Sequence, residues 1–250
     1  MNITEQLTRL GEVTAPPTLL PSVMAAIAGD RYGITEDEVW PLWIAWNRDG
    51  VSAVMRADEN DEAAFRAWFE SEIGRPLQRA EAVPAGLRRA RRYDLSELTD
   101  FERDVLLKTA QIPRGEVRTY GWVAREIGRP AAVRAVGTAL ANNPIPVLIP
   151  CHRVVRSDGV IGNYGAGGTA AKKQILAAEG VDTVLLERLA RERVRFYGSR
   201  TTHIFCLPTC HHARRVKPRN LLQFHTEREA RAGGYRPCKV CRPVEAAEAV

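Results

Sequence analysis

Three prolines, Pro144, Pro146 and Pro150, interrupt the apolar run from Asn143 to Val154. Proline locks φ and has no backbone N–H, so this run cannot be a regular helix and cannot donate fully to a sheet. It is expected to be a fixed, extended wall that presents Cys151 next to His152. The thiolate is the reactive form of cysteine, and a shielded thiol near an imidazole can be held ready to ionise. Cys151 is therefore a candidate nucleophile. A second reading makes it a small core residue, with His152 on the opposite face of an extended chain. Only the neighbouring motifs can choose between them.

With 250 residues, 45% of them hydrophobic, the chain can build two or three small units with their own cores. No stretch reaches the apolar length of a membrane span, and the first residues lack the basic flank and apolar centre of a signal peptide. The expectation is a cytoplasmic protein that does not enter membranes. Four of the five cysteines form two close pairs, Cys206-x3-Cys210 and Cys238-x2-Cys241, with 27 residues between the pairs. That is the spacing of a four-thiolate zinc site, with His211 or His212 as alternatives for one ligand. A basic unit this small, with few large apolar groups, needs its metal to fold. Residues 191–250 hold 13 Lys/Arg against 5 Asp/Glu, net +8, while residues 1–190 hold 23 against 25, net −2. Such a basic unit is either a footprint for a polyanion or a solvated face.

Residues 1–38 form an N-terminal extension without an assigned role; they include Pro16-Pro17, an apolar stretch from Leu19 to Ile27, and Glu36-Asp37-Glu38. A small α/β unit is expected over 39–92. In it, Pro41 to Trp46 and Val51 to Met55 flank an Asn47-Arg48-Asp49-Gly50 turn as a hairpin. Phe65, Trp68, Phe69 and Ile73 recur at helical spacing from Glu62 to Ile73, as core aromatics, and Gly74 and Pro76 end that helix. Arg88 to Arg92 is a basic connector. A second domain, 93–190, opens on the capping box Thr99-Asp100-Phe101-Glu102. Thr119 caps a helix from Tyr120 to Ile127, Gly128-Arg129-Pro130 breaks it, and Ala131 to Ala141 resumes it, which is the plan of a helix-turn-helix. The second helix carries small side chains and one arginine, Arg134, with none of the Asn, Gln or multiple Arg groups that pair with base edges, which is unusual for a DNA reader. It suits either close approach to a DNA groove without sequence readout or a tight helix interface. Gly162 to Gly168 lacks the context of a phosphate loop and is expected to be a pocket wall where a flat base approaches the backbone.

Taken together, Tyr120, Arg134, Asn143-Pro144, Pro150-Cys151-His152-Arg153-Val154 and Gly162 to Gly168 ahead of Lys172 and Glu179 resemble the O6-alkylguanine-DNA alkyltransferases over roughly residues 39–182. The resemblance implies irreversible alkyl transfer from guanine O6 to Cys151, with one turnover per molecule. His152 would take the thiol proton through a water, oriented by Glu179. Arg134 would fill the gap left by the swung-out nucleotide, Tyr120 would donate to the departing base, and Asn143 would fix the turn. Val154, Gly162, Asn163, Tyr164 and Gly165 would line the pocket.

The segments Phe196-Tyr197-Gly198, Thr201 to Cys210 and Gly234 to Pro243 resemble the metal-binding domain of the Ada adaptive-response proteins. This implies one zinc ion on Cys206, Cys210, Cys238 and Cys241, with Cys206 also accepting methyl from backbone methylphosphotriesters. Arg200, Arg214, Arg215 and Lys217 would contact phosphate. His203 and Leu207 depart from the pattern, which has a glycine and a basic residue there. Only nine residues follow Cys241, so no transcription-activating helices are expected. The fold class is then α+β and multi-domain: a small N-terminal α/β unit, a helical alkyltransferase domain with a helix-turn-helix, and a small C-terminal zinc domain over 191–250. The expected partner is double-stranded DNA, met by a monomer. Two rival functions are a damage sensor that transfers nothing and, on Cys151 and His152 alone, a cysteine protease.

Overall fold

Strands β2 (Leu42–Trp46) and β3 (Val51–Arg56) pair antiparallel around the expected turn, where Asn47 accepts from the Asp49 and Gly50 amides. Gly50 has φ 145°, and a Cβ there would lie 2.4 Å from the Arg92 carbonyl, so the turn requires glycine. In this computed structural model residues 29–87 and 91–243 are described. Pro16-Pro17, Leu19 to Ile27 and Arg88 to Ala90 of the connector lie outside them.

The sheet has four strands in the order β3-β2-β1-β4, where β1 is Asp30–Thr35 and β4 is Leu77–Arg79. This corrects the boundary drawn after residue 38, because β1 lies within the supposed extension and pairs with both β2 and β4. Its six residues include a glycine and one core aromatic, Tyr32, too weak a pattern to read as a strand. Every residue of β2 is buried. One sheet face packs Tyr32, Trp43, Ala45 and Ala53 on Phe65 and Phe69 of helix α1 (Glu62–Glu72), capped by Asp61. Each of these two fully buried phenylalanines contributes about 2–3 kcal/mol. The other face shares a core with the second domain: Leu42, Ile44 and Val54 lie in one cluster with Leu106, Trp122, Ile145 and Cys151.

Helix α2 (Asp100–Thr109) begins with the capping box Thr99–Glu102. Strand β5 (Arg118–Thr119) leads into α3 (Tyr120–Glu126), which Thr99's counterpart Thr119 caps, and α4 (Val133–Ala141) completes the helix-turn-helix. The proline run between α4 and Cys151 is a chain of turns rather than an extended wall. Ile149 N donates to the Ile145 carbonyl at 2.9 Å, and Val147 sits at φ 71°, a strained conformation for a β-branched residue. Proline denies helix and ladder alike, but it permits turns, and here it takes them. The run is nevertheless fixed: Val54 N of β3 donates to the Pro144 carbonyl, and the Tyr93 hydroxyl to the Leu148 carbonyl.

A 3-10 turn, Cys151–Arg153, follows, then β6 (Val154–Val155), which pairs parallel with β5. Helices α5 (Gly168–Ala178) and α6 (Thr183–Arg191) close this domain. The C-terminal unit is a second four-stranded sheet, order β10-β8-β7-β9, formed by β7 (Phe196–Ser199), β8 (Ile204–Cys206), β9 (Leu221–Phe224) and β10 (Arg236–Pro237). Two short helices, α7 (His211–Arg214) and α8 (Glu227–Ala232), flank it. Among the described residues no helix is long and apolar enough to cross a membrane.

Candidate active site and metal centre

The turns after α4 bring Asn143 against the thiol. Its Nδ2 donates to Cys151 Sγ at 3.1 Å and to the Ile149 carbonyl at 3.0 Å, while its Oδ1 accepts from Ile145 N at 3.0 Å. One side chain thus ties the turn and touches the sulfur. Burial pushes the Cys151 thiol above its ordinary pKa, opposed by the Asn143 hydrogen bond and the Lys172 charge. The sulfur is kept as a thiol and needs a base to react.

His152 is fully buried, and its Nε2 lies 3.0 Å from Glu179 Oε1. Arg153 grips the same carboxylate with two bonds, Nε to Oε2 at 2.8 Å and Nη2 to Oε1 at 2.6 Å, and anchors itself on the Ile112 carbonyl. Burial opposes ionisation of Glu179, but these donors win and take its pKa down to about 2. A carboxylate ionised at neutral pH accepts, so Nε2 of His152 carries the proton. Burial also lowers the His152 pKa, and the neutral ring keeps its lone pair on Nδ1, which makes no hydrogen bond among the described residues. That atom is placed to receive a proton.

Tyr120 is half-buried at the start of α3, and burial raises its hydroxyl pKa. Lys172 had no assigned role in the sequence, yet it is 1% exposed and donates to the Val154 and Asn163 carbonyls at 2.6 and 3.2 Å. Burial brings its pKa to about 8. A lysine this far inside ties β6 to the glycine-rich loop, and the signal in the sequence was only its place on the inward side of α5. Val154 and Tyr164 are buried, with Tyr164 edge-on to His152 at 6.1 Å.

A cavity of about 450 Å³ reaches Cys151 between Asn143, Pro146 and Gly165 on one side and Met55, Arg56 and Trp68 on the other. The N-terminal unit therefore helps wall the site, and Trp68 of α1 is not purely core. The glycines have an intramolecular reason as well: a Cβ on Gly165 would meet the Ala141 carbonyl at 2.7 Å, and one on Gly167 the Arg56 guanidinium at 2.2 Å. Gly162 and the exposed Asn163 lie beside them in the loop. Arg134 is exposed on α4 with Ala135 and Thr138, and the space beside Gly137 is open. The small side chains of this helix thus leave a smooth outward face.

The four sulfurs of Cys206, Cys210, Cys238 and Cys241 are buried and lie within 4.8 Å of one another. Backbone amides of Leu207 and Val240 point at Cys241 and Cys238 sulfur, each at 3.4 Å. Four soft donors at mutual contact distance, with amides supporting their charge, suit zinc. His211 turns its Nδ1 to Glu116, 3.4 Å away, and His212 is exposed; neither joins the four-sulfur group. Cys206 also lines a cavity of about 540 Å³ with Arg215 and Lys217, two of the basic residues the sequence singled out, and with Arg219, Arg236 and Lys239, which it did not. Arg200 and Arg214 are not part of that lining; Arg214 points toward Gly115 of the second domain. His203 has φ 51°, a conformation that explains why glycine would be at ease there.

Residues 100–181 match the family described as 6-O-methylguanine DNA methyltransferase, DNA binding domain, and residues 185–244 the metal binding domain of Ada. A methylated-DNA–protein-cysteine methyltransferase of Methanosarcina acetivorans is 36% identical over 154 residues, covering 60% of this chain and 97% of that protein. The rat protein of the same name is 42% identical over 118 residues, 47% of this chain and 54% of its own. The chain thus spans about half the length of such mammalian relatives. A solved O6-methylguanine methyltransferase of Mycobacterium tuberculosis aligns with 60% of this chain and 92% of its own at 28% identity, with a TM-score of 0.48.

Proposed function

The chain belongs to the methylated-DNA–protein-cysteine methyltransferases, and from that premise we propose that it repairs DNA by moving an alkyl group from guanine O6 to Cys151. The observation that carries this is the relay beside the thiol: Glu179 fixes the proton of His152 on Nε2 and leaves Nδ1 as the base. The Cys151 proton passes to Nδ1, through a water, and the sulfur attacks the alkyl carbon. The carbon–oxygen bond breaks, a thioether forms, and guanine leaves with its developing charge stabilised by a hydrogen bond from the Tyr120 hydroxyl. A thioether is no leaving group for water, so each molecule reacts once.

The target atom lies within the base stack, so the nucleotide must rotate out of the duplex. The smooth outward face of α4 and the exposure of Arg134 on it support close approach to the groove, and Arg134 fills the vacated space. The substrate is double-stranded DNA, bound by a monomer in the cytoplasm, at the nucleoid.

In the C-terminal domain, Cys206, Cys210, Cys238 and Cys241 hold zinc, which keeps bound thiolates ionised at neutral pH. Cys206 opens onto a cavity whose arginines and lysines suit a phosphate backbone, and it accepts a methyl from methylphosphotriesters there. The test is incubation of the zinc-loaded protein with duplex DNA containing O6-methylguanine. One lesion should disappear per protein, and Cys151→Ala should remove none. Binding without loss of the lesion would turn the reading into a damage sensor.

A further inference from the structure

Besides Arg242, which meets Arg125 and Glu126 of α3, the zinc domain bonds one short stretch of its neighbour. The Thr209 hydroxyl accepts from Val117 N at 3.0 Å and reaches the Val117 carbonyl at 3.5 Å. One residue on from the ligand Cys210, the His211 amide donates to Glu116 Oε1 at 3.0 Å. The carbonyl of the ligand Cys241 accepts from Trp122 Nε1 at 3.0 Å. These contacts join positions 92 to 119 residues apart, and all of them fall on residues 116–122. That stretch is β5 and the first turn of α3, the segment that delivers Tyr120 to the thiol.

Glu116 explains why the contact is built into the fold. Its side chain and that of Arg118 are each 2% exposed and bond at 2.6 Å. A buried carboxylate needs donors for its remaining lone pairs, and the His211 amide supplies one. Arg118 in turn pairs across β5–β6 with Val154, which directly follows the Cys151–Arg153 turn. The path from the metal ligands to the reacting thiol is therefore a short series of buried and part-buried hydrogen bonds and one strand pair. Nothing in the alkyl-transfer chemistry uses Glu116, Arg118 or the Cys241 carbonyl.

We propose that the zinc domain is a positioning element of the alkyl-transfer site, with Thr209 and Trp122 as positioning residues through which the metal-bound loops hold β5 and Tyr120 in register with Cys151. The inference rests on Cys151 being the alkyl acceptor. Loss of zinc then slows a reaction in which zinc takes no part.

The experiment measures single-turnover alkyl transfer to Cys151 in the full chain, with amplitude and rate constant read separately. Amplitude counts folded molecules, whereas the rate constant reports positioning. Amide exchange over residues 116–122 provides a readout that needs no substrate. Thr209→Val, checked for one bound zinc, and Trp122→Phe should each lower the rate constant and speed that exchange by about fivefold, the equivalent of about one net hydrogen bond. Thr209→Ser should restore both. Zinc removal by chelation should produce the larger effect. Rate constants and exchange unchanged in both variants would overturn the proposal. If the wild type transfers nothing, the alkyltransferase reading itself fails, while exchange over 116–122 still decides the structural coupling.

Discussion

Replacing Glu179 by Gln removes one charge and keeps the shape, so it isolates what the carboxylate does for His152. As His152 takes the Cys151 proton it becomes a cation 3.0 Å from Glu179. At an effective dielectric of about 20 that attraction is about 5 kcal/mol. Arg153 already neutralises much of the carboxylate, through bonds of 2.8 and 2.6 Å, so the usable part is smaller. An opposite charge at this range moves a pKa by about 1–3 units, or about 1.4–4 kcal/mol in the barrier. The rate constant of Glu179→Gln should fall by about tenfold to a thousandfold. The loss of charge-assisted bonds to Arg153 should also cost about 2–3 kcal/mol of stability. Rapid-quench transfer from an O6-methylguanine duplex, with amplitude corrected for folded protein, measures the rate term alone. A rate constant within about twofold of wild type would refute the relay and leave Glu179 as a purely structural partner of Arg153.

The remaining expectations follow from the same contacts. Glu179 has its pKa lowered from 4.5 to about 2 in the folded protein, so its contribution to stability is present above about pH 4.5 and is lost as pH falls toward 2. Denaturant melts of wild type and Glu179→Gln should converge across that window. Asn143→Ala removes the donor to Cys151 sulfur and the tie to the Ile149 carbonyl; it should cost about 1–3 kcal/mol and slow transfer, read by chemical denaturation and single-turnover kinetics. Chelating zinc should unfold residues 196–241, seen as new protease cleavage there, and re-addition of zinc should protect them.

What the sequence disclosed and what it hid divide along chain distance. The Asn47–Gly50 turn, the Thr99–Glu102 box and the Thr119 cap are local hydrogen-bond patterns, and each appears where the residues indicated. The cysteine pairs could be read because four thiolates at those spacings have few other uses. Strand β1 could not, since its place in the sheet depends on β2 and β4 rather than on its own pattern. Proline excluded helix and ladder from residues 144–150 but did not choose between an extended path and turns; the bond from Ile149 N to the Ile145 carbonyl made that choice. The role of Lys172, the hold of Arg153 on Glu179, and the Glu116 and Trp122 contacts depend on partners up to 119 residues away, for which no local pattern exists.

The central claim is that Cys151 is a sulfur consumed by alkylated guanine. Peptide mass analysis after one round of reaction with O6-methylguanine duplex tests it most directly. The account predicts a single added methyl on the peptide carrying Cys151, in step with loss of the lesion and in a ratio of one to one. DNA that keeps its methyl group, or a methyl found only on other cysteines, would contradict it.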